Sequence, residues 1–380
     1  MPQESLRDAL HARFPDIDLK GSVRSLHPFY RSLRESPRIL LDAGAFVSDA
    51  EAFPYKTLQS AMRSLLWPAG FTPVGEGGFD YPSDREPGWS EELNGVTHDA
   101  STWYFAQKNM IWSFPIDHDL SADVDPDEPP GFVTTLPAED ERGRSLAAYD
   151  HFGDLDLQIE VVAGHSLGKL YVPLEDELTD DERDAGVVQE KAKLLMYNES
   201  LELSFSASFP EQRSASWCAV NPLNGLLYSS EFDADKLYVY HLAIQPGTGL
   251  VISALGDFEL FDSSGQRLAD AVPVFRVQGG CFSASGHLYL CSDHAQGGVV
   301  GFDMITGREV QRFTIDYEPF AFGFRKQELE GLTIWPLRPG QAPGIRGQIH
   351  VIMIDNAGSG DDDLYFKHFE VLVEAEQNLV

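Results

Sequence analysis

Basic residues are scarce. The chain carries 28 Lys and Arg against 60 Asp and Glu, a formal net charge of −32 over 380 residues. Such a surface repels phosphate backbones and anionic headgroups, so neither nucleic acid nor a membrane surface is an expected partner. Long apolar runs are missing too. No stretch approaches the ~18 apolar residues of a membrane span, and the N-terminus, MPQESLRDALHARFPDIDL, is polar and of mixed charge, with no run of signal-peptide type. A cytoplasmic location is therefore expected. Cysteine is rare. Cys218, Cys281 and Cys291 make three, an odd number in a long chain, which argues against a disulfide framework. No C-x-x-C pair of zinc type exists, and there is no P-loop, no G-x-G-x-x-G after a strand and no H-E-x-x-H.

What the chain does have is apolar material in short pieces. At 43% hydrophobic and 11% aromatic it can bury a core. Residues 1–92 stand apart from the rest. SLRDALHARF and YKTLQSAMRSLLW space their apolar residues at three and four and read as amphipathic helices. PRILLDAGAFV (37–47) reads as a strand, and Pro and Gly then cluster through WPAGFTPVGEGGFDYPSDREPGW. From residue 93 onward short strands alternate with turns, and one unit recurs. The instances start at NGVTHD (94–99), HFGDLD (151–156), SASWCAV (214–220), QGGCF (278–282) and EGLTIW (330–335), about 50 to 65 residues apart, a spacing suited to four-stranded propeller blades. The expected fold is mostly β: a five-bladed β-propeller over 93–380, preceded by a partly helical N-terminal segment over 1–92. A sixth blade has room in 37–92 or 245–275, and 37–47 is the candidate strand for closing the ring, since closure removes exposed edges.

Three tempting motifs dissolve on inspection. GHSLG (164–168) matches the nucleophile elbow G-x-S-x-G, which needs a helix after it. KLYVPLEDE follows instead, a strand, so the glycines are expected to flank a hairpin turn. The acidic segment 117–133 resembles a calcium loop, but counting from Asp123 puts Glu128 where an EF-hand needs Gly and Thr134 where it needs Glu. A solvated loop between blades is expected there. Cys218 and Cys281 occupy matching places in their units, which favours packed inner-strand residues over catalytic thiols.

Aligning the five units gives the positive expectation. Asn94, His151, Ser214, Gln278 and Glu330 begin the inner strands, so they form one ring near the axis on a single face. Thr97, Asp154, Cys218, Cys281 and Thr333 follow about three residues later, and the second-strand exits add Gln107, Glu175, Glu231, Asp293, His294, Asp355 and Asn356. An oxygen-rich set of this kind suits Ca²⁺. It equally suits a polar channel whose groups satisfy one another and water. His98-Asp99 and Asp293-His294 are chain neighbours, and adjacent strand residues point to opposite faces, so neither pair forms a unit. Within YDHFGDLDLQ (149–158) the same alternation puts Asp150, Phe152, Asp154 and Asp156 on one side and His151 on the other, and Asp156, further down the strand, reads as structural.

EGLTIW (330–335) and NGVTHD (94–99), where an acid or amide precedes Gly at the start of an inner strand, resemble blades of the calcium-dependent propeller hydrolases, the phytase-like and lactonase-like propellers. That resemblance implies cation-assisted hydrolysis of an ester, lactone or phosphoester in a top-face axial pocket. Asn94, Asp154 and Glu330 would hold the Ca²⁺, and His151, or His98 or His294, would be the general base. Two alternatives stay open. One is a non-catalytic propeller that binds a protein or ligand on its top face; the other is an isomerase or cyclase using the same pocket.

Overall fold

The computed structural model describes residues 70–73 and, with short breaks, 89–372. Within these residues the chain forms five sheets of blade type. Blade 1 is Leu93–His98, Thr102–Gln107, Met110–Pro115 and Val133–Thr135. Blade 2 has an inner strand in two pieces, His151–Phe152 and Asp156–Gln158, followed by Lys169–Glu175, Lys193–Tyr197 and Leu203–Ser208. Blade 3 is Trp217–Val220, Leu227–Ser230, Leu237–Gln245 and Gly249–Phe258. Blade 4 is Gly279–Phe282, Leu288–Ser292, Gly298–Asp303 and Arg308–Phe313. Blade 5 is Gln327–Ala342, Ile345–Asp355 and Asp363–Leu372, with Gly70–Pro73 as its fourth strand. Every neighbouring pair is antiparallel, so each blade is a meander joined by hairpins.

The ring is closed by Gly70–Pro73, which pairs with Phe369–Leu372 across four residue pairs. The strand expected at 37–47 and both expected N-terminal helices lie outside the described residues. The stretch 245–275, where a sixth blade had room, supplies instead the outer strand of blade 3 and a link containing the short 3-10 helix Leu268–Asp270.

Packing explains why five meanders make one body. Each blade is apolar on both faces of its inner strands, and five buried clusters fill the five seams. Tyr104 and Phe152 meet between blades 1 and 2, Tyr171 and Cys218 between 2 and 3, Trp217 and Leu290 between 3 and 4. Cys291 and Val351 meet between 4 and 5, and Trp103 and Phe366 between 5 and 1. Full burial of one such side chain is worth about 1.5–3 kcal/mol, and the seams hold dozens. All three cysteines are buried and free, Cys218 and Cys281 as packing residues of inner strands, as their matching places in the units imply. Of GHSLG, His165 and Ser166 form a strand, and Gly164 and Gly168 lie outside the described residues. Val161–Val162 pairs with His165–Ser166, and the strand Lys169–Glu175 follows without a helix.

Candidate functional site: a sealed axis beneath a polar mouth

Asp154 sits at the centre of the molecule. The inner strand of blade 2 pairs with Lys169–Glu175 at both ends, through His151–Phe152 and through Asp156–Gln158, but not between them. The intervening residues swing to the axis. There the Asp154 N–H donates to the Ser216 carbonyl at 2.7 Å, and the Cys218 N–H donates to the Asp154 carbonyl at 3.2 Å, so blade 2 borrows a bridge from blade 3. This break is why Asp154 does not share a strand face with Asp150 and Asp156 as simple alternation predicts.

The Asp154 carboxylate then gathers the other blades. Oδ1 accepts the backbone N–H of Val96 from blade 1 at 2.9 Å and that of Leu155 at 3.1 Å. Oδ2 accepts Gly280 N–H from blade 4 at 2.9 Å and Leu332 N–H from blade 5 at 3.3 Å. A carboxylate offers about four lone-pair positions, and all are used. Asp154 is 0% exposed. Burial pushes its carboxyl well above the usual carboxylate range, and the N–H donors of Val96, Gly280 and Leu332 pull it back towards the ionised form.

Glycine makes the approach feasible. A Cβ on Gly95 would lie 2.6 Å from the Asp154 Cα, one on Gly279 would lie 2.7 Å from Oδ2, and one on Gly331 would lie 2.9 Å from Oδ1. The glycine that follows the acid or amide in NGVTHD and EGLTIW thus has a mechanical reason: it lets three inner strands converge on one carboxylate. Just along the axis, Asp156 accepts N–H bonds from Leu157 at 2.8 Å and Val220 at 2.6 Å. Burial raises its pKa to about 7, with the Val220 and Leu157 N–H groups and the Thr97 hydroxyl opposing the rise. It is the structural residue that the sequence suggested.

Asn94, Gln278 and Glu330 of the expected ring bridge neighbouring blades, while in blade 3 Ser216 rather than Ser214 does so. The side-chain amide of Asn94 donates to the Phe152 carbonyl at 3.0 Å and ties blade 1 to blade 2. Ser216 Oγ donates to the Val277 carbonyl at 2.7 Å and ties blade 3 to blade 4. Gln278 Nε2 donates to Glu330 Oε1 at 3.0 Å and ties blade 4 to blade 5. Asn94 and Glu330 are buried, at 7% and 6% exposed, and His151 is half-buried. His151 is the direct cross-strand partner of Glu175. Glu175 also accepts the Ala215 N–H, and Glu231 accepts the Arg213 N–H at 3.2 Å. Gln107 is turned to its own blade, accepting Trp112 Nε1–H at 2.6 Å and donating to the Glu91 carbonyl at 2.8 Å.

The other two histidines part company with this mouth. His98 ends the strand Leu93–His98 and Asn94 is its second residue, so the two lie about 13 Å apart along the chain at ~3.3 Å per residue. His98 stacks on Trp335 at the opposite end of the inner strands. His294, with its neighbour Asp293, lies outside the described residues.

The cation expected on Asn94, Asp154 and Glu330 does not fit this arrangement. Four N–H dipoles point their positive ends at Asp154, which leaves no oxygen lone pair to give and a local field that repels a cation. Among the described residues no group of three or more His, Cys, Asp or Glu is placed to hold a metal ion. The sequence did hold the signal for this outcome: glycine recurs beside the axis in three blades, which calls for close backbone approach rather than ligand spacing.

No protein-family model and no curated protein matches the chain. Among solved structures, a luciferin-regenerating enzyme is similar at 12% identity and a TM-score of 0.43, over 80% of this chain and 99% of that one. A gluconolactonase from Xanthomonas campestris gives 12% and 0.37 over 80% and 98%. A calcium-binding regucalcin from Agrobacterium tumefaciens gives 12% and 0.36 over 81% and 91%. Likeness at this level carries no inference about activity. The strand pairing itself shows the architecture: the chain is a five-bladed β-propeller whose axis is closed by a carboxylate.

Proposed function

We propose that the protein acts on a small, uncharged molecule in the top-face mouth above Asp154, and that the reaction is hydrolysis of a carboxylic ester or lactone without a cation on the axis. The observation that carries this reading is the cross-strand pairing of His151 with Glu175. Directly opposed antiparallel residues have Cβ atoms about 5 Å apart, close enough for the carboxylate to orient the imidazole. An imidazole beside a carboxylate is suited to take a proton from water near neutral pH. Asn94, Gln278 and Glu330 then hold the substrate's polar atoms, while Asp154 forms the rigid floor. A phosphoester is disfavoured, because Glu175 and Glu330 line this mouth of a chain with net charge −32.

A panel of lactones, carboxylic esters and phosphoesters tests the reading with wild type, His151→Ala and Glu330→Gln. Turnover of a lactone or ester, insensitive to chelators and lowered about 100-fold or more in His151→Ala, is the expected result. Glu330→Gln should raise KM more than it lowers kcat. Turnover that survives His151→Ala overturns the assignment. A ligand that binds at the mouth and is never turned over moves the protein to the non-catalytic class.

A further inference from the structure

Acidic residues outnumber basic ones by 60 to 28, yet one buried lysine has no carboxylate beside it. Lys193 begins the third strand of blade 2 and is 8% exposed. It directly opposes Ser208 on the fourth strand, and its Nζ donates to Ser208 Oγ at 3.4 Å. The Tyr149 ring centre lies 5.4 Å from Nζ. Among the described residues no Asp or Glu oxygen comes within 4.0 Å of Nζ. An ammonium carries three N–H donors. Burying it without acceptors for them is costly.

The nearby carboxylates are already engaged. Asp140 sits in the hairpin that links blades 1 and 2, where Glu139 bridges Ser145. It accepts the Arg142 N–H at 2.9 Å, the Arg144 N–H at 3.0 Å, Arg144 Nε–H at 2.6 Å and the Ser206 hydroxyl at 3.1 Å. Glu141 pairs with Arg142 at 3.3 Å. Arg144 brings a second cation to the same place. Its Nη2 donates to Ser206 Oγ at 3.3 Å, and its Nη1 has no partner among the described residues. Ser206 and Ser208 share one face of their strand, about 7 Å apart at ~3.3 Å per residue. An ammonium and a guanidinium therefore stand over one two-residue step of strand, at the edge of the seam that Tyr149 and Leu195 fill. The place is open to solvent, since Ser208 is exposed and the Arg144 side chain is 49% exposed.

We propose that Lys193 and Arg144 form a binding site for one small oxyanion, a phosphate or carboxylate group, in the outer seam between blades 1 and 2. Lys193 gives a compact charge with N–H donors to spare, Arg144 gives the planar Nη1 side of its guanidinium, and Ser208 gives a hydroxyl that turns from accepting to donating. Burial pushes the Lys193 ammonium below its usual range, and the Arg144 guanidinium adds to that push, with Asp140, Glu141 and Glu190 opposing it. An anion held between the two cations replaces their repulsion by attraction to both.

Amine labelling of the full chain, mapped by mass spectrometry, tests the proposal. The probes are inorganic phosphate and acetate, with chloride at matched ionic strength as the reference for plain screening. An oxyanion at the site is expected to slow labelling of Lys193 about 10-fold or more relative to chloride, because it holds the amine protonated. Lys236 in blade 3 and Lys367 in blade 5 are expected to keep their rates. Protection by phosphate alone assigns a phosphate ligand, and protection by acetate assigns a carboxylate. Arg144→Gln is expected to abolish the protection while Lys193 stays open to labelling. Equal labelling in all three salts overturns the proposal and leaves Lys193 held by Tyr149, Ser208 and water; that comparison uses the wild type and needs no variant to fold. Protection that persists undiminished in Arg144→Gln overturns the pairing of the two cations. Because the site involves neither His151 nor Glu330, its failure would leave the proposed function untouched.

Discussion

Asp154→Ala is expected to melt about 10 °C or more below the wild type, the largest effect of any single substitution in the molecule. Removing the carboxylate strands the N–H groups of Val96, Leu155, Gly280 and Leu332 on a closed axis. An orphaned buried donor costs about 1–3 kcal/mol, so even with partial relaxation and water entry the loss is about 4 kcal/mol. At about 2–4 °C per kcal/mol for a chain of this size, that is a shift no surface substitution reaches. Asp154→Asn is expected to fall between the two, because the amide keeps one acceptor oxygen and turns an NH₂ towards two N–H donors. Thermal melts followed by circular dichroism measure both. If Asp154→Ala melts within 2 °C of wild type, the hub contributes little and the axis is held by the seams alone.

Gly279→Ala is expected to be strongly destabilising, at about 3 kcal/mol. Its Cβ would lie 2.4 Å from the Glu330 carbonyl oxygen and 2.7 Å from Asp154 Oδ2, and a backbone carbonyl cannot step aside as a flexible side chain can. Overpacking of this kind costs about 1–3 kcal/mol, and a rigid neighbour puts it at the upper end. The comparison that isolates crowding is Gly186→Ala. Gly186 has φ of +74° and nothing within 4 Å, so that variant incurs only the left-handed backbone strain of about 1 kcal/mol. Denaturant melts of the two variants should differ by about 2 kcal/mol. Equal losses would mean that the inner strands have slack around Asp154.

Much of this architecture is legible in the sequence because propeller blades advertise themselves. Most inner strands are short apolar runs beside a Gly, and the turns between strands are rich in Gly, Asn or Ser. The recurrence at NGVTHD, HFGDLD, SASWCAV, QGGCF and EGLTIW pointed to five blades, with room left for a sixth, and set Asn94, His151, Gln278 and Glu330 at the starts of their units.

The role of Asp154 was the harder part. Its chain position says that it lies near the axis, but a ligand and a hub occupy the same place in an alignment. What distinguishes them is the direction of four backbone N–H groups, which come from residues 58 to 178 positions away as well as from its neighbour Leu155. Strand alternation failed there because the inner strand of blade 2 leaves its own sheet for a bridge to Trp217. His98 was misplaced for a simpler reason. The five residues of strand from Asn94 to His98 carry the chain from one mouth of the ring to the other, and residue type alone does not say which end matters. The ring-closing strand Gly70–Pro73 was hidden in a Pro- and Gly-rich stretch that has no strand pattern of its own; its extension comes from pairing with Phe369–Leu372.

The most direct test of the sealed axis is a crystal soaked in calcium chloride and solved at a resolution that shows ordered ions. The account predicts that Asp154 keeps its four N–H contacts, with no density at the about 2.3–2.6 Å of a calcium–oxygen bond from either carboxylate oxygen. A peak at that distance, with Val96, Gly280 or Leu332 turned away from the carboxylate, would contradict it.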